Sequence, residues 1–218
     1  MQPLNGKIES APDKATGCDC NFVVTPKLAQ AFINHGYSFV IRYIPRAAGS
    51  NSGGDLTNAE ANTIINAGLG LMAVQHVSND NWHPTAELGT AYGNYAASYA
   101  KQIGLAAGVN IWVDLEMVNI NSAKQDVIAY CKAWYAAISA AGYVPGIYIG
   151  YQVIIDNQDA YNLPFAHYWA AYNTDTIPAV RGYQMVQGIQ VNVGGIDVDP
   201  NTVKVDHKGG TPLWLIKK

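Results

Sequence analysis

Asn110-Ile111-Trp112-Val113-Asp114-Leu115-Glu116 is a short apolar run, rich in branched and aromatic residues, that ends on two acidic ones. About one helix length later comes a second such run, Tyr143-Val144-Pro145-Gly146-Ile147-Tyr148-Ile149. Both read as strands. Between them Ser122-x-x-Gln125 has the pattern of a capping box, and Gly142 stands where a left-handed residue would stop a helix. Strand, helix, strand is the unit of a parallel sheet, because parallel neighbours need a crossover.

The unit recurs in both directions along the chain. Strand candidates 17–22, 39–44 and 70–77 precede it, and 166–172, 183–187 and 195–198 follow. Thr25 with Pro26 opens one helix, Thr57-x-x-Glu60 a second, and Thr85 a third that runs in Ala and Tyr to about residue 105. Gly36, Gly68 and Gly104 are placed as their left-handed stops. Eight strands favour a closed barrel over an open doubly wound sheet, whose Gly-rich phosphate fingerprint is missing. The last two connections are too short for full helices. The expected fold is therefore α/β, an irregular (β/α)8 TIM-type barrel with reduced helices in its C-terminal part. Residues 15–205 form the barrel, 1–14 an N-terminal extension, and 206–218 a C-terminal tail able to pack on it. The Gly-rich loop 49–55 lacks the Lys of a phosphate loop and reads as a flexible connection.

Composition removes several functional classes. The 218 residues carry a formal charge of −3, with 49% apolar and 13% charged residues, enough apolar material for one domain with a large core. The 13 Lys and Arg are spread thinly, which argues against nucleic acid as a partner. No apolar run approaches the roughly 20 residues of a membrane span. The first residues lack the basic start and apolar stretch of a secretory signal. The expectation is a protein made in the cytoplasm that acts outside it after lysis or non-classical secretion. Cys18, Cys20 and Cys131 are an odd set, and Cys18 and Cys20 are too close for an ordinary bridge, so all three are expected as buried free thiols. The five His residues form no paired motif, and no metal or cofactor is expected. Asp197-x-Asp199-x-Asn201 imitates the start of a calcium loop, but Thr202 and Lys208 stand where Gly and Glu are needed.

A β/α barrel draws its functional side chains from the carboxyl ends of its strands. Those positions hold Asp19, Arg42, Gln75, His76, Asp114, Glu116, Tyr148, Tyr172, Gln184 and Asp199. Asp114 and Glu116 alternate with Val113, Leu115 and Met117, so both carboxylates point the same way, with Cα atoms about 6.6 Å apart at the usual strand rise. Two carboxyls in a barrel mouth push their pKa values apart, which suits the protonated acid and the anion of glycoside hydrolysis. The competing reading is a structural pair that caps the next helix or meets Arg42. Arg42, inside an apolar strand, must be paired if buried. It reads first as a structural partner and second as a substrate contact; His76 is either a satisfied buried histidine or a functional one. Tyr43, Trp82, Tyr148, Tyr151, Trp169 and Tyr172 fall mostly at or just after strand ends, where flat rings with a polar handle offer platforms for sugars.

These motifs bring a family into view. Gly17-Cys18-Asp19, Asp114-Leu115-Glu116, Gly142-Tyr143-x-Pro145-Gly146-Ile147-Tyr148, Tyr183-Gln184 and Val198-Asp199-x-Asn201 resemble the lysozyme-type muramidases of glycoside hydrolase family 25. With Arg42-Tyr43 at the second strand, the chain is more similar to the bacterial glycoside-hydrolase-like domain family related to them. The resemblance covers roughly residues 15 to 205. It implies an irregular barrel that cleaves peptidoglycan, a polysaccharide partner, and a monomer without cofactor. It implies Glu116 as general acid and Asp114 as the neighbour that stabilises or orients the reacting sugar, by direct attack or by positioning the substrate's own N-acetyl group. Asp19 and Asp199 complete the acidic cleft, and Arg42, Tyr43, Gln75, His76, Tyr148, Trp169, Tyr172 and Gln184 line it. The chain departs from the muramidase pattern at Tyr183-Gln184-Met185, where a Trp-Gln-Tyr run is usual, and at Cys20-Asn21, where Val or Ile and then Ser are common. The rival to an enzyme is a catalytically silent glycan-binding or structural barrel of a secreted or phage-type assembly.

Overall fold

The computed structural model describes residues 3–50, 54–76, 79–178, 182–205 and 208–218. Seven parallel strands follow one another around a barrel: β2 (Thr16–Cys20), β3 (Phe39–Ile44), β4 (Gly70–Gln75), β5 (Asn110–Leu115), β6 (Val144–Ile149), β7 (His167–Ala170) and β8 (Met185–Gln187). The eighth position belongs to β10 (Ile196–Val203), which pairs antiparallel with both β8 and β2 and closes the ring. This refines the expected last strand: residues 196–198 pair with β9 (Val191–Val193) in a hairpin, and the barrel wall is built by 199–203. A connection too short for a helix cannot return the chain to the start of a parallel strand, so the closing strand must run backwards.

Two more strands come from the ends of the chain. β1 (Gly6–Ser10) pairs antiparallel with β11 (Leu213–Lys217), and β11 joins β4 at Leu215 and Leu71. The segments read as extension and tail are thus one antiparallel pair attached to the barrel. Residues 51–53 of the Gly-rich loop, residue 77 of the 70–77 strand candidate and residues 206–207 of the tail lie outside the described residues.

The helices are α1 (Pro26–His35), α2 (Asn58–Asn66), α3 (Ala86–Gln102), α4 (Lys124–Ala140) and the short α5 (Asn157–Asn162). Thr25, Thr57 and Thr85 cap the first three by accepting from the backbone N–H three residues on, and Pro26 takes the first position of α1, where a missing N–H costs nothing. Gly36, Gly68, Gly104 and Gly142 all have positive φ just beyond helix ends. Two cap readings are corrected. Ser122 does not cap α4, whose N-cap is Ala123 without a side-chain bond; its hydroxyl meets His83 Nδ1 instead. Glu60 does not complete a box with Thr57, because a buried arginine holds its carboxylate. The turn before α5, closed by a reciprocal Asp156–Asp159 capping box, carries a helix that the sequence pattern did not reveal.

The barrel interior is filled in layers, as closed eight-stranded sheets require. At the floor His167 Nδ1 lies 3.0 Å from Asn110 Oδ1, which also accepts from Leu213 N–H. Above them Trp112 and Trp169 meet edge to face at 5.6 Å. Gly146 of β6 gives Trp112 its room, since a Cβ there would fall 2.3 Å from the indole. All three cysteines are free and buried, and burial raises each thiol. Among the described residues no helix is long and apolar enough to cross a membrane. The packed floor leaves the carboxyl rim as the end where polar side chains gather.

Candidate active site

Asp19, one residue before the end of β2, faces into the barrel and is 1% exposed. Its strand partner across β10 is Asp199, so the reversed strand brings a second carboxylate level with the first. Asp19 Oδ2 accepts from Asn201 Nδ2 at 2.7 Å and from Gln187 Nε2 at 3.0 Å, and its Oδ1 accepts from Tyr43 Oη at 3.3 Å. Gln187 Oε1 accepts from Tyr148 Oη (3.0 Å), and Asn201 Oδ1 from Trp169 Nε1 (2.8 Å). Side chains from β2, β3, β6, β7, β8 and β10 are therefore joined in one hydrogen-bonded ring. Period-two alternation builds it: Asp199 and Asn201 share one face of β10.

Asp114 and Glu116 stand on the other side of the mouth. Asp114 is buried at the end of β5, opposite Tyr148 in register. Glu116 is half-buried just past the strand. Its side chain lies over Gly150 at the end of β6, where an added Cβ would sit 2.5 Å from both Glu116 Cβ and Oε2. Only a residue without a side chain leaves that seat open.

The electrostatics favour protonated carboxyls. Burial raises Glu116 above the usual carboxylate range, and the carboxylates of Asp80 and Asp199 push the same way. Burial also pushes Asp19 up to about 7; the Asn201 hydrogen bond opposes this and Asp199 adds to it. Asp199 is raised by burial against a hydrogen bond from Gln190. Burial and then the acidic neighbours raise the hydroxyls of Tyr43 and Tyr148, which keeps them donors. A carboxyl that holds its proton near neutrality is a general acid in waiting.

His76, just beyond β4, sits beside this ring. Its Nε2 is 3.0 Å from Asp55 Oδ1, and its imidazole lies 4.7 Å from the Tyr43 ring. Burial lowers its pKa against the pull of Asp55, which favours neutral imidazole.

Three other expected site residues are turned elsewhere, one supports the ring without facing the mouth, and one is not joined to it. Arg42 is wholly buried and points outward: Nε donates to Glu60 Oε1 at 2.6 Å, and its two terminal nitrogens donate to the carbonyls of Cys20 and Gly54. It ties the barrel to α2 and has no exposed surface, as a charge buried this deeply must be held by its partners. Gln75 also faces outward, donating to Tyr92 O and accepting from Trp134 Nε1, so it fastens β4 to α3 and α4. Gln184 has no exposed surface and accepts from Tyr168 N–H, linking β7 to the segment before β8. Trp169 is 1% exposed and supports the ring from below rather than offering a surface to a sugar. Tyr172 is 63% exposed beyond β7 and makes no bond to the ring.

Asn201, Gln187, Asp80 and Asp55 belong to the site or its immediate support without having been singled out as functional. The two-residue step from Asp199 was a signal for Asn201; the loop positions of Asp80 and Asp55 left none. Among the described residues no cluster of three or more His, Cys, Asp or Glu side chains is arranged to hold a metal.

Comparison with known proteins agrees with this fold. The Tat-secreted protein Rv2525c of Mycobacterium tuberculosis, solved with L-tartrate, superposes with a TM-score of 0.68 at 17% identity, covering 91% of this chain and 99% of that one. A muramidase from Trichobolus zukalii superposes at 0.59 with 15% identity, covering 85% and 92% of the two chains. A bacterial lysozyme from Streptomyces coelicolor gives 0.54 at 14% identity, covering 88% and 93%. At these identities the likeness is one of fold. No curated protein matches the chain by sequence. The model of the Rv2525c-like, glycoside hydrolase-like domain matches residues 30–203, a span from α1 to the last residue of the closing strand. The chain is a member of the Rv2525c-like glycoside hydrolase-like domain family.

Proposed function

We propose that this protein is a glycosidase of bacterial cell-wall peptidoglycan, N-acetylmuramidase-like, with Glu116 as its general acid. The observation that carries the reading is the seating of Glu116: half-buried over Gly150, raised in pKa by burial and by two flanking carboxylates, at the rim of a muramidase-type barrel. A protonated carboxyl at that point gives its proton to the glycosidic oxygen as the C–O bond to the anomeric carbon breaks. Asp114, two residues earlier on the same face, meets the positive charge that develops on the sugar or holds the N-acetyl group against it. A water then adds hydroxide to the anomeric carbon and returns its proton to Glu116. Asp199 and Tyr43 form the wall that orients the sugar, held from behind by the buried Asp19, Tyr148, Gln187 and Asn201. The substrate places the protein's work outside the cytoplasm.

The test is reducing-end release from purified peptidoglycan. Wild type releases reducing ends, while Glu116→Gln binds the polymer and releases none. Binding without release by wild type would instead favour the silent glycan-binding barrel.

A further inference from the structure

The backbone around Glu116 is held in an unusual way. Among the described residues, five other than glycine have positive φ, and four of them, Asn81, Met117, Gln152 and Ile154, lie in three loops that meet at Glu116. Asn tolerates the left-handed region; Met, Gln and especially β-branched Ile do not adopt it without cost. Strain of this kind persists only where surrounding bonds over-determine it.

Those bonds are present. Trp82 Nε1 donates to the Glu116 carbonyl at 2.9 Å, and Asn81 N–H to the Met117 carbonyl at 2.8 Å. Met117 N–H donates to Tyr151 O at 2.9 Å and Val118 N–H to Gln152 O at 3.0 Å, while Gln152 Nε2 returns a bond to Val118 O at 2.7 Å. Asn119 N–H closes the set on Trp82 O. The loop after β4 and the loop after β6 thus grip the four residues that begin with Glu116 from both sides. The same β6 loop begins with Gly150, the seat of the Glu116 side chain.

We infer that Trp82 and Gln152 are positioning residues for Glu116, the jaws of a three-loop clamp that fixes the acid over Gly150. The inference rests on Glu116 being the acid of the proposed reaction, and it explains why strained residues collect there. A general acid works only within hydrogen-bond reach of the leaving oxygen, and a shift near 1 Å costs up to roughly a hundredfold in rate. Trp82 and Gln152 act through the backbone of 116 and 118 and need no contact with substrate.

The experiment uses Trp82→Phe, which keeps an aromatic ring and removes the N–H, and Gln152→Met, which keeps the length and removes the donor. Turnover on soluble glycan fragments and the carbon-13 titration of the Glu116 carboxyl are measured for each, and either variant decides alone where the other does not fold. The expected result is a kcat lowered roughly tenfold to a hundredfold with KM unchanged, together with a Glu116 titration displaced from that of wild type. Unaltered kcat and an unaltered Glu116 titration in the folded variants would overturn the inference. If wild type itself lacks turnover, the proposed reaction fails, and the clamp is judged by the titration alone.

Discussion

Asp19→Asn separates the electrostatics of this site from its catalysis. Asp19 is wholly buried, and its pKa stands at about 7 against an ordinary value of 3.8. The sign follows from that order. Below about pH 4 the carboxyl is protonated in both folded and unfolded chains. Between about 4 and 7 the folded protein keeps a proton that the unfolded chain has lost, so stability falls by about 1.4 kcal/mol for each pH unit. Above 7 the loss levels off at about 4 kcal/mol, an order-of-magnitude figure. Asparagine cannot ionise. Its amide oxygen can accept from Asn201 and Gln187, and the Tyr43 hydroxyl, which donates to Asp19 Oδ1, can turn to accept from the amide nitrogen. Urea unfolding of both proteins at pH 4 and pH 8 is the assay. The variant should gain on wild type by about 4 kcal/mol between the two pH values. Parallel pH dependence in the two proteins would show that Asp19 is not held protonated by burial.

Four further outcomes follow from the same geometry. Gly150→Ala places a Cβ 2.5 Å from Glu116 Cβ, which cannot rotate away, so thermal denaturation should show a loss of about 1–3 kcal/mol. Reducing-end release by the same variant should fall roughly a hundredfold or more, the share of a displaced general acid. Glu60→Gln leaves Arg42 buried without its counter-charge and should cost about 3–5 kcal/mol in chemical denaturation, while binding of peptidoglycan by the folded fraction is kept. Because burial and acidic neighbours raise Glu116, kcat should stay high through the usual carboxylate range and decline only as pH climbs past the raised value. A decline beginning near pH 4 in a pH–rate profile would contradict that assignment.

Much of this was legible in the chain because strands alternate and helices carry punctuation. The Thr caps, the closing glycines and the acidic ends of 110–116 located the rim and four of its carboxyls. What the sequence hid was parity. In a barrel packed on both faces, strands are apolar throughout, so Arg42 beside Tyr43, or Gln75 beside His76, gives no sign of which turns inward. The structure sends Tyr43 and His76 to the site and Arg42 and Gln75 to the helices. Direction was legible only through the short last connections: these imply a reversal, but nothing in 195–205 shows that it sets Asp199 against Asp19. The clamp around Glu116 depends on backbone angles at Met117 and Ile154 that no propensity would assign.

Mass spectrometry of the soluble products after purified peptidoglycan is incubated with wild type and with Glu116→Gln bears on the proposed chemistry at its root. Muropeptides ending in a reducing N-acetylmuramic acid, released by wild type and absent with the variant, are the predicted result. Intact polymer after wild-type digestion, or equal release by both proteins, would contradict Glu116 as the acid of a muramidase.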